Sequence, residues 1–384
     1  MTATSYNKVS IDLTALCANF KAIQGSVGPG VQVLAMVKSE AYGHGLIQVA
    51  AALETVGASH FGVAEIEEGI ALRDAGISGT VLVFLGSADA DALIAHHLTP
   101  VVFDLCNLER LAARASRRQV SIGVHLKIDV GMGRFGILPA EVPAFITAIR
   151  NLPGVHLAGI LSHFPQADQD AGMTCRQNQE FIRLHETIEQ ASEPGRGVVA
   201  HIANSAAIMG CPASTHNLVR PGIALYGCYP ADASVCQVQL DLAPVMSFQT
   251  VVLQIKDVPT GYGVSYGHLY VTQRPSRLAV LPVGYADGYL RSLTGQAQVL
   301  IRGQRAPVCG RICMNACVVD ITDIPAARVG DPVVLMGKQT GPAGIGEISA
   351  AEIAGWMKTI HYEVLCLFGN NNQREYRGVA AGDC

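Results

Sequence analysis

The sequence predicts an α/β chain: an N-terminal (β/α)8 TIM-type barrel followed by a mainly β C-terminal domain. Three observations carry that expectation. Eight short apolar runs alternate with helical stretches over roughly the first 220 residues, the pattern of parallel strands joined by crossover helices. Near residue 240 the alternation stops, and short β-like runs then recur without long helices. The residues with the most chemistry fall just after the apolar runs, at the strand ends where barrel enzymes keep their sites.

Residues 11–27 carry Leu13, Leu16, Ala18, Phe20 and Ile23 on one side, which predicts an amphipathic helix. The next stretch, VQVLAMV, is almost wholly apolar and runs into Lys38, as in a strand buried on both faces. Runs at 59–64, 80–85, 99–104, 120–129, 155–162, 198–203 and 218–226 supply the other seven strands. Helical stretches at 65–76, 105–118, 140–150 and 173–192 separate many of them. Eight such units favour a closed barrel over an open sheet. From residue 245 the runs MSFQTVVLQI, RLAVLPVGY, AQVLIRG, ACVVDI and DPVVLMG are punctuated by Pro and Gly. One helix at 347–358, capped by Ser349, is expected to interrupt them. The expected domains are 1–240 and 241–384, with about the first ten residues able to join the β domain. The last fifteen residues read as a loosely held tail.

Composition narrows the function. The net charge is −4 and no basic run occurs, which argues against a nucleic-acid partner. The N-terminus lacks the basic start and apolar core of a signal peptide, and no run is long enough to span a membrane. Eleven cysteines, an odd number without a signal peptide, suggest a reducing cytoplasm rather than a disulfide framework. Cys309, Cys313 and Cys317 have no Cys-x-x-Cys partner and read as buried thiols, so no metal is expected.

Lys38 is the first candidate for chemistry. A desolvated amine at a strand tip loses its proton more easily, as a Schiff-base lysine requires. The turn that follows, Tyr42-Gly43-His44-Gly45, lets backbone and ligand approach closely. This stretch alone is equally compatible with a snorkelling lysine at a strand end. Arg134, His163, Asn204, Ser205, Arg220, Gly222 and Ile223 fall at or after later strands, with Ser205 and the Gly222 and Ile223 amides placed to bind phosphate. Lys127 and Asp129 alternate, so both are expected to face the barrel interior. Gly131–Gly136 matches G-x-G-x-x-G, but no acid follows in residues 151–160, so a dinucleotide site is not expected. His96 and His97 read as a surface pair, and Asp287 and Asp320 as turn acids.

The motifs VKSEAYGHG, LKIDVGMGRFG, SHF, HIANSA, VRPGIALYG, GYGVSYG, PVGYADGY, GRICMN and TIHYEV occur in one order along nearly the whole chain. Together they resemble the alanine racemase family of pyridoxal 5'-phosphate enzymes. The resemblance implies interconversion of L- and D-alanine by a two-base mechanism. Lys38 would carry the cofactor and act as one base. Tyr266, from the β domain of the other subunit of a homodimer, would act as the second. It further implies that Arg220 faces the pyridine nitrogen and that Arg134 binds the cofactor's phenolic oxygen and the substrate carboxylate. Tyr42, Ser205, Gly222, Ile223 and Tyr362 would hold the phosphate. His163 would contact the ring or Arg220, Asn204 would support the site, and the Met314 amide would bind the substrate carboxylate. Arg291 and Tyr362 would line the entrance. Lys127 would be open to carbamylation, which removes an awkward buried cation. The implied role is supply of D-alanine for peptidoglycan in the cytoplasm, with a small amino acid as substrate and no nucleic-acid or membrane partner.

Asn315, His361 and the Ser39-Glu40 pair depart from the family's common pattern. They leave open a broad-specificity or serine racemase on the same scaffold. A decarboxylase of the same architecture is disfavoured because Arg220, not an acid, stands at the expected pyridine position. A non-catalytic cofactor-carrying barrel is disfavoured because such proteins lack the β domain.

Overall fold

The computed structural model describes residues 5–85, 88–191, 197–230, 236–342 and 344–378. The chain forms two compact units. Among the described residues, one holds Leu16–Ala41 and Leu46–Ala243; the other takes residues 5–15, the short stretch Tyr42–Gly45 and residues 244–378. The first strand, β1 (Lys8–Asp12), lies in the second of these.

The first unit is an eight-stranded parallel barrel. Its strands are β2 (Gln32–Met36), β3 (His60–Val63), β4 (Thr80–Val83), β5 (Thr99–Val102), β6 (Ile122–Lys127), β7 (Val155–Leu161), β8 (Val199–His201) and β9 (Leu218–Val219). From β2 to β8 each pairs with the next in chain order, and β9 pairs back onto β2. The ring closes where the Arg220 N–H donates to the Ala203 carbonyl (2.9 Å) beside a bridge between Asn204 and Arg220. Leu34, Ala35, Phe61, Val81 and Val83 are fully buried, as expected for strands covered on both faces. All eight expected strands are present. In the register, Gly159 of β7 pairs with His125 of β6. A Cβ at Gly159 would lie 2.5 Å from the His125 ring, so glycine there makes room for a buried imidazole.

The second unit is built on a mixed sheet. Its strands are β10 (Met246–Val251), β11 (Gln254–Val258), β12 (Gly263–Val264), β13 (Tyr270–Val271), β14 (Ser276–Leu281), β15 (Gln298–Ile301), β16 (Gln304–Cys309), β17 (Cys317–Asp320), β18 (Pro332–Gly341), β19 (Gly344–Ile348) and β20 (Arg374–Arg377). The main order is β11-β14-β17-β16-β15-β18-β10-β1-β20, with β19 on β18 and β12 paired to β13. Phe248 and Phe368, both fully buried, pack with ring centroids 4.9 Å apart in its core.

Two expectations fail here. The C-terminal stretch is not a loose tail throughout: β20 runs parallel to β1, with Val9 opposite Arg374 and Asp12 opposite Arg377. Backbone pairing holds it, and its polar side chains gave no apolar signal. The end of the expected tail, 379–384, lies outside the described residues. Two helices follow β19 rather than one. Ala350–Met357 starts at Ser349, whose Oγ accepts from the Glu352 N–H (3.1 Å). His361–Asn371 comes next and buries Val364, Leu365 and Phe368. Among the described residues no helix is long and apolar enough to cross a membrane.

Candidate active site

The barrel brings a set of cations to its strand ends. After β2 the chain passes Val37 and Lys38 and then turns in the left-handed sense. Ser39, Glu40, Ala41 and Tyr42 all have φ between 51° and 56°. L-residues pay about 1–2 kcal/mol each for that conformation, because Cβ crowds the next carbonyl. The Ala41 N–H bonds back to the Val37 carbonyl (2.8 Å), and the Ser39 N–H donates to Glu68 Oε1 (2.5 Å). Gly43 follows at φ 84°, where a Cβ would meet the Leu365 carbonyl oxygen at 2.6 Å. Only glycine fits that exit from the turn.

Arg220 is 4% exposed, just beyond β9. Its Nη1 donates to the His201 carbonyl (2.8 Å) and to His201 Nδ1 (2.9 Å). Its Nη2 donates to the Ser162 carbonyl (2.6 Å), the Ile202 carbonyl (3.2 Å) and His163 Nδ1 (3.3 Å). No carboxylate faces it among the described residues, and burial pulls it down to about 9. Arginine cannot accept, so His201 Nδ1 must carry a lone pair and Nε2 the proton. That proton is donated to His125 Nδ1 (2.8 Å). Burial and then Arg220 push His201 and His163 well below the usual histidine range. Burial, with His60 and Arg220, drives His125 down to about 3. The relay is therefore neutral.

Lys127 ends β6 and is 7% exposed. Burial, then Arg220 and Arg134, bring its amine down to about 7; Asp129 opposes this and Lys38 adds to it. The expectation that Asp129 shares the barrel interior needs correcting. β6 stops at Lys127, and Asp129 turns its carboxylate to the loop that follows. It accepts from the N–H groups of Gly131 (2.9 Å), Met132 (2.6 Å), Gly133 (2.8 Å) and Arg134 (3.2 Å). Desolvation raises its carboxyl, but the four amides outweigh it and hold the group below the usual carboxylate range. The glycine-rich loop thus wraps an internal anion.

Lys38, Lys127, Arg134 and Arg220 therefore act on one region, whose neighbouring acid is occupied by backbone. Such a concentration of positive charge suits a ligand carrying phosphate and carboxylate groups. Asn204 caps the helix Ser205–Gly210 by accepting from the Ala207 N–H (3.0 Å). Ser205 Oγ accepts from the N–H groups of Gly222 (2.9 Å) and Ala224 (3.3 Å). The Gly222 amide is thus already engaged within the protein. The Ser205 hydroxyl proton is left to donate.

The remaining residues belong to the β-rich unit. Tyr266 is 70% exposed and follows Ser265, whose Oγ donates to the Arg311 carbonyl (2.6 Å). Met314 and Asn315 are exposed, and Arg291 opens a short 3-10 turn. The Tyr42 and Tyr362 rings lie 6.0 Å apart, and His361 stacks on Tyr362 at 4.9 Å. Burial raises the Tyr42 phenol above its ordinary range, with Tyr362 and Cys366 adding to the effect. Glu68, His125 and His201 were not singled out from sequence; strand alternation around Lys127 was the available signal for His125.

Residues 11–230 match the family model for the alanine racemase N-terminal domain, and residues 245–376 that for its C-terminal domain. The chain belongs to the alanine racemase family. An alanine racemase of Desulfovibrio desulfuricans is 41% identical over 95% of this chain and 96% of its own length. Among solved structures, alanine racemase of Clostridium difficile 630 superposes with a TM-score of 0.89 at 33% identity, covering 98% of this chain and 97% of that one. The Bartonella henselae alanine racemase, solved with covalently bound pyridoxal phosphate, gives 0.86 at 26% identity, covering 97% and 100%.

Proposed function

We propose that this chain interconverts L- and D-alanine with pyridoxal 5'-phosphate held on Lys38. The observation that carries the reading is the cationic barrel rim, where Lys38, Lys127, Arg134 and Arg220 act on one region and Arg220 meets only neutral acceptors. When bound, the cofactor withdraws electrons through its ring and makes the substrate Cα–H acidic. The protein's own residues do the rest.

Lys38 takes or returns the Cα proton on one face of the substrate. Tyr266, from the β domain (241–384) of a second copy of the chain, serves the opposite face. One base cannot readily serve both faces of an oriented substrate. Arg220 donates and never accepts, so a pyridine nitrogen facing it stays without a proton. That limits charge delocalisation and favours return of the proton to Cα. Arg134 holds the phenolic oxygen and the substrate carboxylate, and the Met314 amide assists with the carboxylate. Ser205, Ile223, Tyr42 and Tyr362 bind phosphate, with the Gly222 amide orienting Ser205. His163 steadies Arg220 and Asn204 fixes the helix that bears Ser205. Arg291 and Tyr362 line the entrance. The Lys127 amine adds carbon dioxide and releases a proton to give a carbamate, since its lowered value supplies neutral amine near pH 7. The resulting anion would offset the surrounding cations. The cellular role is supply of D-alanine for peptidoglycan, in the cytoplasm, by a homodimer.

A racemase assay of the purified chain, with and without added cofactor and across an amino-acid panel, tests this reading. Alanine should be the fastest substrate, with activity restored by cofactor. Absence of racemisation, or comparable rates on serine or larger amino acids, would overturn it.

A further inference from the structure

The left-handed turn behind Lys38 poses a physical problem. Four consecutive non-glycine residues at φ 51–56° hold a left-handed backbone that L-residues adopt only under strain. The backbone ladder between β2 and β3 reaches Val37, whose N–H donates to the Gly62 carbonyl (2.9 Å), one residue before Lys38. Something outside the turn must hold it.

We propose that Glu68 is the positioning residue that fixes this turn, and with it the backbone of Lys38, by tying the tips of β2 and β3 through one carboxylate. Its Oε1 accepts from the Ser39 N–H (2.5 Å), the first amide after Lys38. Its Oε2 accepts from the N–H groups of Ala64 (2.7 Å) and Glu65 (3.1 Å), which follow β3 directly. The helix bearing Glu68, Ile66–Asp74, buries Ile66, Gly69 and Leu72, so the carboxylate stands on a packed element. Three backbone donors converge on one anion, and the bonds are charge-assisted. A neutral amide cannot replace it. Glutamine can accept from Ser39 only by turning its NH2 group toward the Ala64 and Glu65 donors. Aspartate is one methylene too short to span both loops. The role rests on the reading of Lys38 as the reactive amine, but the tether itself is a property of the turn.

The full-length, cofactor-loaded chain can be compared by hydrogen–deuterium exchange as wild type, Glu68→Ala, Glu68→Gln and Glu67→Ala. Glu67 lies on the same helix turn and makes no bond to residues 37–45 among the described residues. Exchange in peptide 37–45 should rise about tenfold in Glu68→Ala and less in Glu68→Gln, and stay at the wild-type rate in Glu67→Ala. In steady state, Glu68→Ala should lower kcat about tenfold while KM changes less than about threefold. Unchanged exchange in 37–45, or a rise spread evenly over the barrel, would overturn the proposal. The exchange readout stands without racemase activity, so failure of the functional reading remains distinguishable.

Discussion

Two stretches that follow barrel strands handle charge in opposite ways. In the loop after β6, Asp129 is an anion surrounded by four backbone N–H groups, and the account closes within the protein. After β9, Arg220 is a buried cation served only by carbonyls and neutral imidazoles, and burial, then Arg220 and Arg134, bring the Lys127 amine down to about 7. A G-x-G-x-x-G match drew attention to the first region, yet its amides are spent on structure. The second matched no short phosphate motif of its own, yet it is where the cations gather. Clustered cations whose acceptors are neutral mark a ligand site better than glycines do.

The largest expected effect sits in the cationic region. Lys38→Ala should abolish racemisation and covalent cofactor retention, read by activity and intact mass, while leaving the thermal midpoint within a few degrees. Persistent covalent cofactor would break the comparison. Asp129→Asn should act on the balanced region instead. It removes a charge from four hydrogen bonds and should cost about 1–2 kcal/mol, a figure reduced because the group is partly open to solvent. Because the folded carboxyl sits below its ordinary 3.8, its contribution is present above that pH and fades as pH falls through the folded value. In the Asp129→Asn variant that acid-side loss should be absent from denaturant titrations below about pH 4.

A smaller effect concerns the histidine relay. His125, His163 and His201 stay neutral when folded but titrate near 6.5 when unfolded. Stability is therefore full above that pH and declines as pH falls, since the unfolded chain takes up protons the fold refuses. His125→Gln keeps an acceptor for His201 and should flatten the decline by about 1 kcal/mol between roughly pH 7 and 5.5. An unchanged slope would show that His125 is not held neutral.

Much of the barrel was legible because buried parallel strands read as short apolar runs, and a charge at the end of one singled out Lys38. The left-handed turn was not legible: Ser-Glu-Ala-Tyr has no glycine, and nothing local predicts positive φ. The His125–His201 contact depends on register across β6, β7 and β8, which no local pattern specifies. β20 was missed because an edge strand of Arg, Glu and Tyr is held by backbone pairing, not by apolar burial. In the β-rich unit, Tyr266 was reached through its flanking motif; its exposure alone would have suggested a surface aromatic.

Cα-proton exchange with deuterated solvent, started separately from L- and D-alanine, tests the two-base arrangement most directly when wild type is compared with Tyr266→Phe. Exchange from one enantiomer should collapse by about a hundredfold or more while the other keeps most of its rate. Equal, mild losses from both would contradict an amine and a phenol working on opposite faces of one carbon.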